Sequence, residues 1–168
     1  LKAGLENNEF CFWILPHTLK LKNAKIHLRR SIEDLDDYFA KGQLMIGDYK
    51  EFYLKDEFFS WRQSIENITD MVKNALEKGF KRIRITGDGS WAVDSGHWFN
   101  FLRYEKEVNK ALESYKIKAI CSYSIAKLDL RNLCEIGITH QLSLANLAGN
   151  WNRIETDQLA GIRRVLSY

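Results

Sequence analysis

Two carboxylates, a cysteine and a histidine are the side chains here whose types and positions could support chemistry. Asp88 lies in a glycine-flanked turn after a short strand pattern of alternating apolar and polar residues, where it could hold Mg²⁺ or a polar ligand. Glu105 falls on the apolar stripe of an amphipathic helix, where a carboxylate needs a partner. Cys121 and His140 could form a thiolate–imidazole pair or part of a metal site. Each also has an ordinary structural interpretation, as a turn, an ion-pair clasp, a small buried residue or a hydrogen-bonded histidine.

Arg84 is the obvious partner for Glu105. It alternates with Ile83 and Ile85 along a strand pattern, so it lies on the opposite face from these isoleucines. If this strand is central, an arginine on a covered face must be paired or face a cavity, because unpaired burial costs several kcal/mol. We therefore expect Arg84 and Glu105 to form an ion pair with Asp88 nearby; the alternative is an edge strand with a solvated face.

These residues are positioned by short strands that alternate along the chain with longer amphipathic helices. The predicted strands are 10–15, 44–46, 82–86, 117–123 and 142–147, and the predicted helices are about 17–30, 31–40, 57–78, 98–115 and 129–136. Such connections form parallel βαβ units, which predicts a three-layer α/β fold with a mainly parallel central sheet flanked by helices. Ligands bind beyond the carboxyl ends of the strands in these sheets. We expect Cys121 and His140 to approach one cavity there from neighbouring strands, together with Tyr123.

The segment after the first predicted strand bears on nucleotide binding. A phosphate-binding loop at this point requires glycines, because only they let successive amide groups turn onto a phosphate. Residues 16–20 read Pro-His-Thr-Leu-Lys and contain no glycine. A working nucleotide triphosphatase is therefore not expected.

Composition and charge exclude several classes of protein. The 168 residues are 45% hydrophobic and 28% charged with a net charge of +3, which excludes wholesale disorder and gives no basic arm for nucleic acid. The longest apolar run, 10–15, is far shorter than the roughly 20 residues of a membrane span, and nothing resembles a signal peptide. Three widely spaced cysteines indicate a reducing, cytoplasmic location. We expect no cofactor, no metal, no membrane contact and no nucleic-acid partner.

Short motifs along the chain resemble a known family when they are taken together. They are Gly4-Leu5 with Glu9-Phe10-Cys11, Gly79-Phe80 leading to Arg84, Gly87-Asp88-x-x-Trp91, Tyr104-Glu105-x-x-x-Asn109, Cys121-x-Tyr123 and Thr139-His140. Over about residues 3–150 their order and spacing resemble the methanogen/methylotroph sensory domain, MEDS. The resemblance implies a divergent RecA/KaiC-like domain with a degenerate nucleotide site. It also implies fusion to histidine kinase, PAS or DNA-binding regulatory modules, and sensing of small hydrocarbon derivatives.

The sequence therefore favours a ligand-sensing input domain of a signal-transduction protein, which binds a small hydrocarbon derivative or C1-type compound without catalysis. The candidate ligand-binding residues are Arg84, Asp88, Trp91, Tyr104, Glu105, Cys121, Tyr123 and His140. Two alternatives are a residual nucleotide-binding or metal-dependent RecA-like enzyme using Asp88 and Glu105, and a ligand-free dimerisation scaffold.

We expect the domain to cover residues 1–153 and to be truncated at its N-terminus, because the first residue is Leu and not Met. Residues 154–168 form a predicted linker helix with Leu159, Ile162 and Leu166 in phase. We expect this helix to pair with a second copy in a homodimer or to lead into a downstream signalling domain.

Overall fold

The computed structural model describes residues 1–140 and 142–154, together with residues 157 and 162. The chain forms two compact units, Leu1–Tyr123 and Ser124–Tyr168. The strands of the first unit are β1 (Phe10–Leu15), β2 (Leu44–Asp48), β3 (Leu54–Lys55), β4 (Phe58–Phe59), β5 (Ile83–Asp88) and β6 (Ile117–Ser122). Its helices are α1 (Lys2–Leu5), α2 (Leu21–Arg29), α3 (Leu35–Ala40), α4 (Tyr49–Tyr53), α5 (Trp61–Glu77), α6 (Trp91–Asp94) and α7 (Trp98–Leu112). The described part of the second unit contains a 3₁₀ turn (Ile125–Lys127), α8 (Leu130–Thr139), β7 (Ser143–Leu147) and β8 (Asn150–Ile154).

A parallel sheet of four strands forms the centre of the first unit, in the order β2-β1-β5-β6. Strand β1 pairs with β2 on one side and β5 on the other. The chain builds β2 beside β1 and then crosses to the other side of β1 to build β5, so the winding reverses between β1 and β5. Helices flank this sheet, and the predicted α/β fold with a parallel central sheet is confirmed.

Both faces of β1 are buried, because its residues are apolar in both orientations. On one face, Cys11 packs with Leu5 and Leu35, which come from α1 and α3. On the other face, the Phe12 ring lies 5.2 Å from the ring of Phe52 in α4. Cys11 and Phe12 are both fully buried, with exposed fractions of 0%. The two layers of helices follow from this double burial.

Helix α5 begins later than its apolar pattern predicted. The sequence favoured a helix over 57–78, whereas residues 54–59 form the hairpin β3–β4. Asp56 and Glu57 make the turn with positive φ angles of 51° and 62°. The Ser60 hydroxyl then accepts a hydrogen bond from the Gln63 amide, which caps the helix.

Helix α3 is also shorter than the predicted 31–40. Ile32 packs into the core with an exposed fraction of 6%, so the chain turns before the helix. Asp34 makes this turn with a φ of 51°, and the helix starts at Leu35. Asp34 has a left-handed backbone conformation, which cannot continue a right-handed helix, so the helix does not extend over the whole apolar pattern.

The last predicted strand is present, but its pairing differs from the prediction. Residues Ser143–Leu147 pair antiparallel with β8, which the sequence reading missed, and not with the parallel sheet. Ala148 and Gly149 form the turn with positive φ angles, a backbone that suits a tight hairpin. His140, expected to open this strand, instead caps the carboxyl end of α8.

Two further expectations concern what the chain is attached to. Almost all of the predicted linker helix, 154–168, falls outside the described residues, and it stays a prediction. Among the helices that the structure does describe, none combines the length and apolar character needed to cross a bilayer.

Helix α1 approaches the sheet closely at Gly4. A Cβ atom there would lie 2.5 Å from Cδ of Arg84 and 2.7 Å from Sγ of Cys11. Arg84 cannot easily move aside, because its Nε–H donates to the carboxylate of Glu9. Glu9 is itself buried, so it holds the Arg84 side chain in place. The close contact of Gly4 with Arg84 and Cys11 therefore fixes α1 against β5 and β1.

Replacing Gly4 with alanine should therefore lower the free energy of unfolding by about 1–3 kcal/mol, the usual cost of overpacking. Urea unfolding followed by circular dichroism measures this change. The matched control is Ala3→Ser, an exposed position in the same helix, which should stay within about 0.5 kcal/mol. An unchanged Gly4→Ala midpoint would show that α1 is not held at this contact.

Candidate functional site

A cavity of about 450 Å³ opens at the carboxyl ends of the central strands. Trp13 and Pro16 line it at the end of β1, Thr86 and Asp88 at the end of β5, and Ser122 at the end of β6. This is the point where the winding of the sheet reverses. In open parallel sheets such a reversal leaves a crevice that the connecting segments do not fill, and ligands bind there.

Apolar atoms provide most of the surface of the cavity wall, and polar groups provide the remainder. The apolar lining residues are Leu1, Trp13, Pro16, Leu28 and Ile32. The polar ones are Lys2, Ser31, Thr86, Asp88 and Ser122. An apolar surface with a small number of convergent polar groups is typical of a site for a small organic molecule.

Asp88 is held in place at this cavity by two hydrogen bonds. Its Oδ1 accepts from the Ser90 amide at 3.0 Å, and its Oδ2 accepts from the Ser122 hydroxyl at 3.2 Å. A side chain at Gly89 would overlap the ring of Tyr123, which explains the glycine after Asp88. The turn and the ligand interpretations of Asp88 are therefore compatible, because the turn orients the carboxylate.

A polar cluster lies on the other face of the sheet. It consists of the buried Tyr53, Tyr104 and Glu105 and the half-buried Cys121 and Tyr123. Glu105 has an exposed fraction of only 3%, and its Oε2 accepts from the Cys121 thiol at 3.7 Å. The rings of Tyr53 and Tyr104 are 5.5 Å apart, and their hydroxyls share a hydrogen bond. The cluster therefore gathers one carboxylate with a thiol and three phenols.

Burial keeps these donors protonated. It is the main cause that raises the pKa of the Cys121 thiol well above its usual value, and the negative charge of Glu105 adds to it. Burial and then Glu105 raise the pKa values of Tyr104 and Tyr123 in the same way. Cys121 is therefore a neutral thiol at pH 7 and not an activated nucleophile.

Trp91 belongs to an aromatic core next to this cluster. Its ring stacks on Tyr53 at 5.1 Å and meets Phe101 edge-on at 5.4 Å. With an exposed fraction of 2%, Trp91 is a packing residue of this face. Its buried indole N–H has no hydrogen-bond partner among the described residues, an arrangement that usually costs about 1–3 kcal/mol.

The predicted ion pair between Arg84 and Glu105 is wrong. Arg84 is opposite Cys11 and pairs with Glu9, whereas Glu105 contacts Cys121 on the other face of the sheet. Strand β5 does have neighbours on both sides, so the argument that Arg84 must be paired was sound. The sequence signal for Glu9 was its position directly before a strand that is apolar on both faces.

The structure thus divides the candidate residues. It brings Tyr104, Glu105, Cys121 and Tyr123 into one cluster, places Asp88 at the cavity and Arg84 beside Glu9. Their roles in ligand binding stay predictions. His140 lies in the second unit, so its expected approach to Cys121 stays a prediction as well.

Sequence reasoning placed Trp13 near a strand end, where it suits an apolar pocket, but missed Thr86 and Ser122. All three side chains face the same side of the sheet as Asp88, near the same strand ends. Thr86 is two residues from Asp88, so alternation along the strand would have found it. Ser122 needed the strand order and register, which the sequence does not supply.

Comparison with known proteins identifies the family. The family model described as the methanogen/methylotroph, DcmR sensory domain (MEDS) matches residues 1–141. The chain therefore belongs to this family of sensory domains, as the motifs indicated. No curated protein matches the chain.

The pH dependence of Cys121 alkylation tests the polar cluster. Burial is the main cause of the raised Cys121 pKa and the charge of Glu105 adds to it, so Glu105→Gln should move the rise in alkylation rate to lower pH. Iodoacetamide labelling followed by peptide mass spectrometry measures this rate at Cys121. Glu107→Gln on the same helix is the control and should leave the profile unchanged. If Glu105→Gln leaves the pH dependence of alkylation unchanged, the Glu105 carboxylate does not interact with the Cys121 thiol.

Proposed function

We propose that this member of the MEDS family senses a small organic molecule in the cavity at the carboxyl ends of β1 and β5, without converting it chemically. The observation that carries the proposal is the position of the cavity, at the point where the winding of the sheet reverses. Asp88, fixed by the Ser90 amide and the Ser122 hydroxyl, provides a polar group for orienting the ligand.

The lining favours a largely apolar ligand with one hydrogen-bond donor. A volume of about 450 Å³ falls in the range of small-molecule sites. Trp13, Leu28 and Ile32 offer apolar contact, and the Asp88 carboxylate accepts from a hydroxyl or an amine. A one-carbon compound would fill only a small part of this space, so a hydrocarbon derivative with several carbons fits better.

Two features weigh against the nucleotide-dependent or metal-dependent enzyme. The segment between β1 and α2, residues 16–20, has no glycine, so its successive amide groups cannot turn onto a phosphate as a phosphate-binding loop requires. Asp88 contacts Ser122 while Glu105 contacts Cys121, and these neighbours face opposite sides of β6. The two carboxylates are therefore poorly placed to share a metal ion.

The proposal also extends to the setting of the domain. The three cysteines are free thiols, which suits a reducing cytoplasm. We propose that ligand occupancy is passed to a downstream signalling domain, such as a kinase, PAS or regulatory module, and that the protein acts as a homodimer. These parts of the proposal rest on the family and on the helical pattern of 154–168.

A thermal-shift screen of alcohols, amines, thiols and halogenated hydrocarbons tests the ligand site, with ATP as a separate arm. A ligand at a hundredfold excess over its Kd should raise the Tm by about 5–10 °C, from the corresponding gain in unfolding free energy. Asp88→Asn should weaken the binding of compounds that carry a hydrogen-bond donor by about tenfold. Compounds without a donor should bind this variant as before.

Ser31→Trp and Arg30→Trp form a matched pair for the same screen. Both positions are exposed and adjacent, but only Ser31 lines the cavity, so only Ser31→Trp should abolish the shift. Equal shifts in the two variants would place the ligand elsewhere. Stabilisation by ATP and by none of the organic compounds would favour the nucleotide-binding alternative.

A further inference from the structure

A second cleft of about 620 Å³ lies at the opposite end of β5 and β6 from the cavity, where these strands begin. Its lining is strongly basic: it consists of Asn7, Glu9, Lys81, Arg82, Arg84, Lys116 and Lys118. Five of these side chains are cations and one is a carboxylate. The sensing proposal makes no use of this basic cleft.

The register of the sheet places four of the cations on one face. Arg84 is directly opposite Lys118 in the pairing of β5 with β6. Ile83 is opposite Ile117, so the preceding residues Arg82 and Lys116 also lie side by side. Side chains two apart along a strand share a face, and the cations therefore form two adjacent rows. Like charges in such positions repel and destabilise a sheet.

Of these five cations, only Arg84 has an acidic partner among the residues that the structure describes. Arg84 donates its Nε–H to the buried Glu9, which fixes the guanidinium at the cleft. Lys81, Arg82, Lys116 and Lys118 are exposed, and none forms an ion pair within the part of the chain that the structure describes. The repulsion among these unpaired cations, which surround the fixed Arg84 side chain, favours the binding of a negatively charged partner.

We propose that the basic cleft binds a compact, multivalent oxyanion of the phosphate class, such as pyrophosphate or a small molecule that carries two phosphate groups. Each phosphate group carries about −1.5 to −2 at pH 7, so two of them balance the uncompensated cations. Carboxylates would need about four separate groups in the same space. The planar guanidinium groups of Arg82 and Arg84 match the geometry of phosphate oxygens, and the lysines of the cleft add point charges around these oxygens.

Isothermal titration calorimetry of the full chain with pyrophosphate, without divalent cations, tests this site. Lys118→Gln should weaken binding by about tenfold, the loss of one charge-assisted hydrogen bond. Lys22→Gln, at an exposed position of α2 outside the cleft, is the control and should change the Kd by less than about twofold. Both lysines are exposed, and a thermal scan of each variant verifies that the fold is retained.

Four outcomes would overturn the proposal. An unchanged Kd in Lys118→Gln, or no binding by the unmodified chain, removes the anion from this cleft. Citrate binding as tightly as pyrophosphate would show that the cleft responds to charge and not to phosphate. Much tighter binding of a single-stranded oligonucleotide than of pyrophosphate would indicate a nucleic-acid surface in place of a small-anion site.

Discussion

The constraint on which the structure depends is the double burial of β1. Its six residues are apolar in both orientations, so helices must cover each face and a strand must pair on each side. β2 takes one side, and the chain can reach the other only by reversing its winding. That reversal leaves the crevice between the ends of β1 and β5, where the connecting segments diverge. The position of the cavity is therefore a consequence of where the most apolar strand lies.

The sequence was sufficient to predict the strands of the central sheet, but it was insufficient to predict which side chains contact one another on each face of the sheet. Apolar runs and alternation located β1, β5 and β6, because these patterns follow from burial alone. Alternation also put Arg84 opposite the isoleucines of its strand, but it cannot tell which helix covers which face. Glu105 was therefore paired with Arg84 across a sheet that separates them. The turns at Asp34 and at 56–57 were missed because left-handed residues there are not glycines.

The two faces of the sheet have different chemistry. The face with Glu105 gathers aromatic rings, phenols and a thiol around that carboxylate, and burial raises the pKa of the Cys121 thiol and of the Tyr53, Tyr104 and Tyr123 phenols. The face with Arg84 holds both the cavity and the basic cleft, at opposite ends of β5. The two openings to solvent therefore lie on the second face, while the first carries the polar cluster and its aromatic neighbours.

The first nine residues connect the two ends of the second face. Leu1 and Lys2 line the cavity, and Asn7 and Glu9 line the basic cleft. Between them, the buried Gln43 side chain donates to the carbonyls of Leu5 at 2.8 Å and Glu9 at 3.1 Å. A segment held this way cannot shift at one end without straining the hydrogen bonds of the other. Occupants of the two sites would consequently act on the same short piece of backbone, at positions about six residues apart.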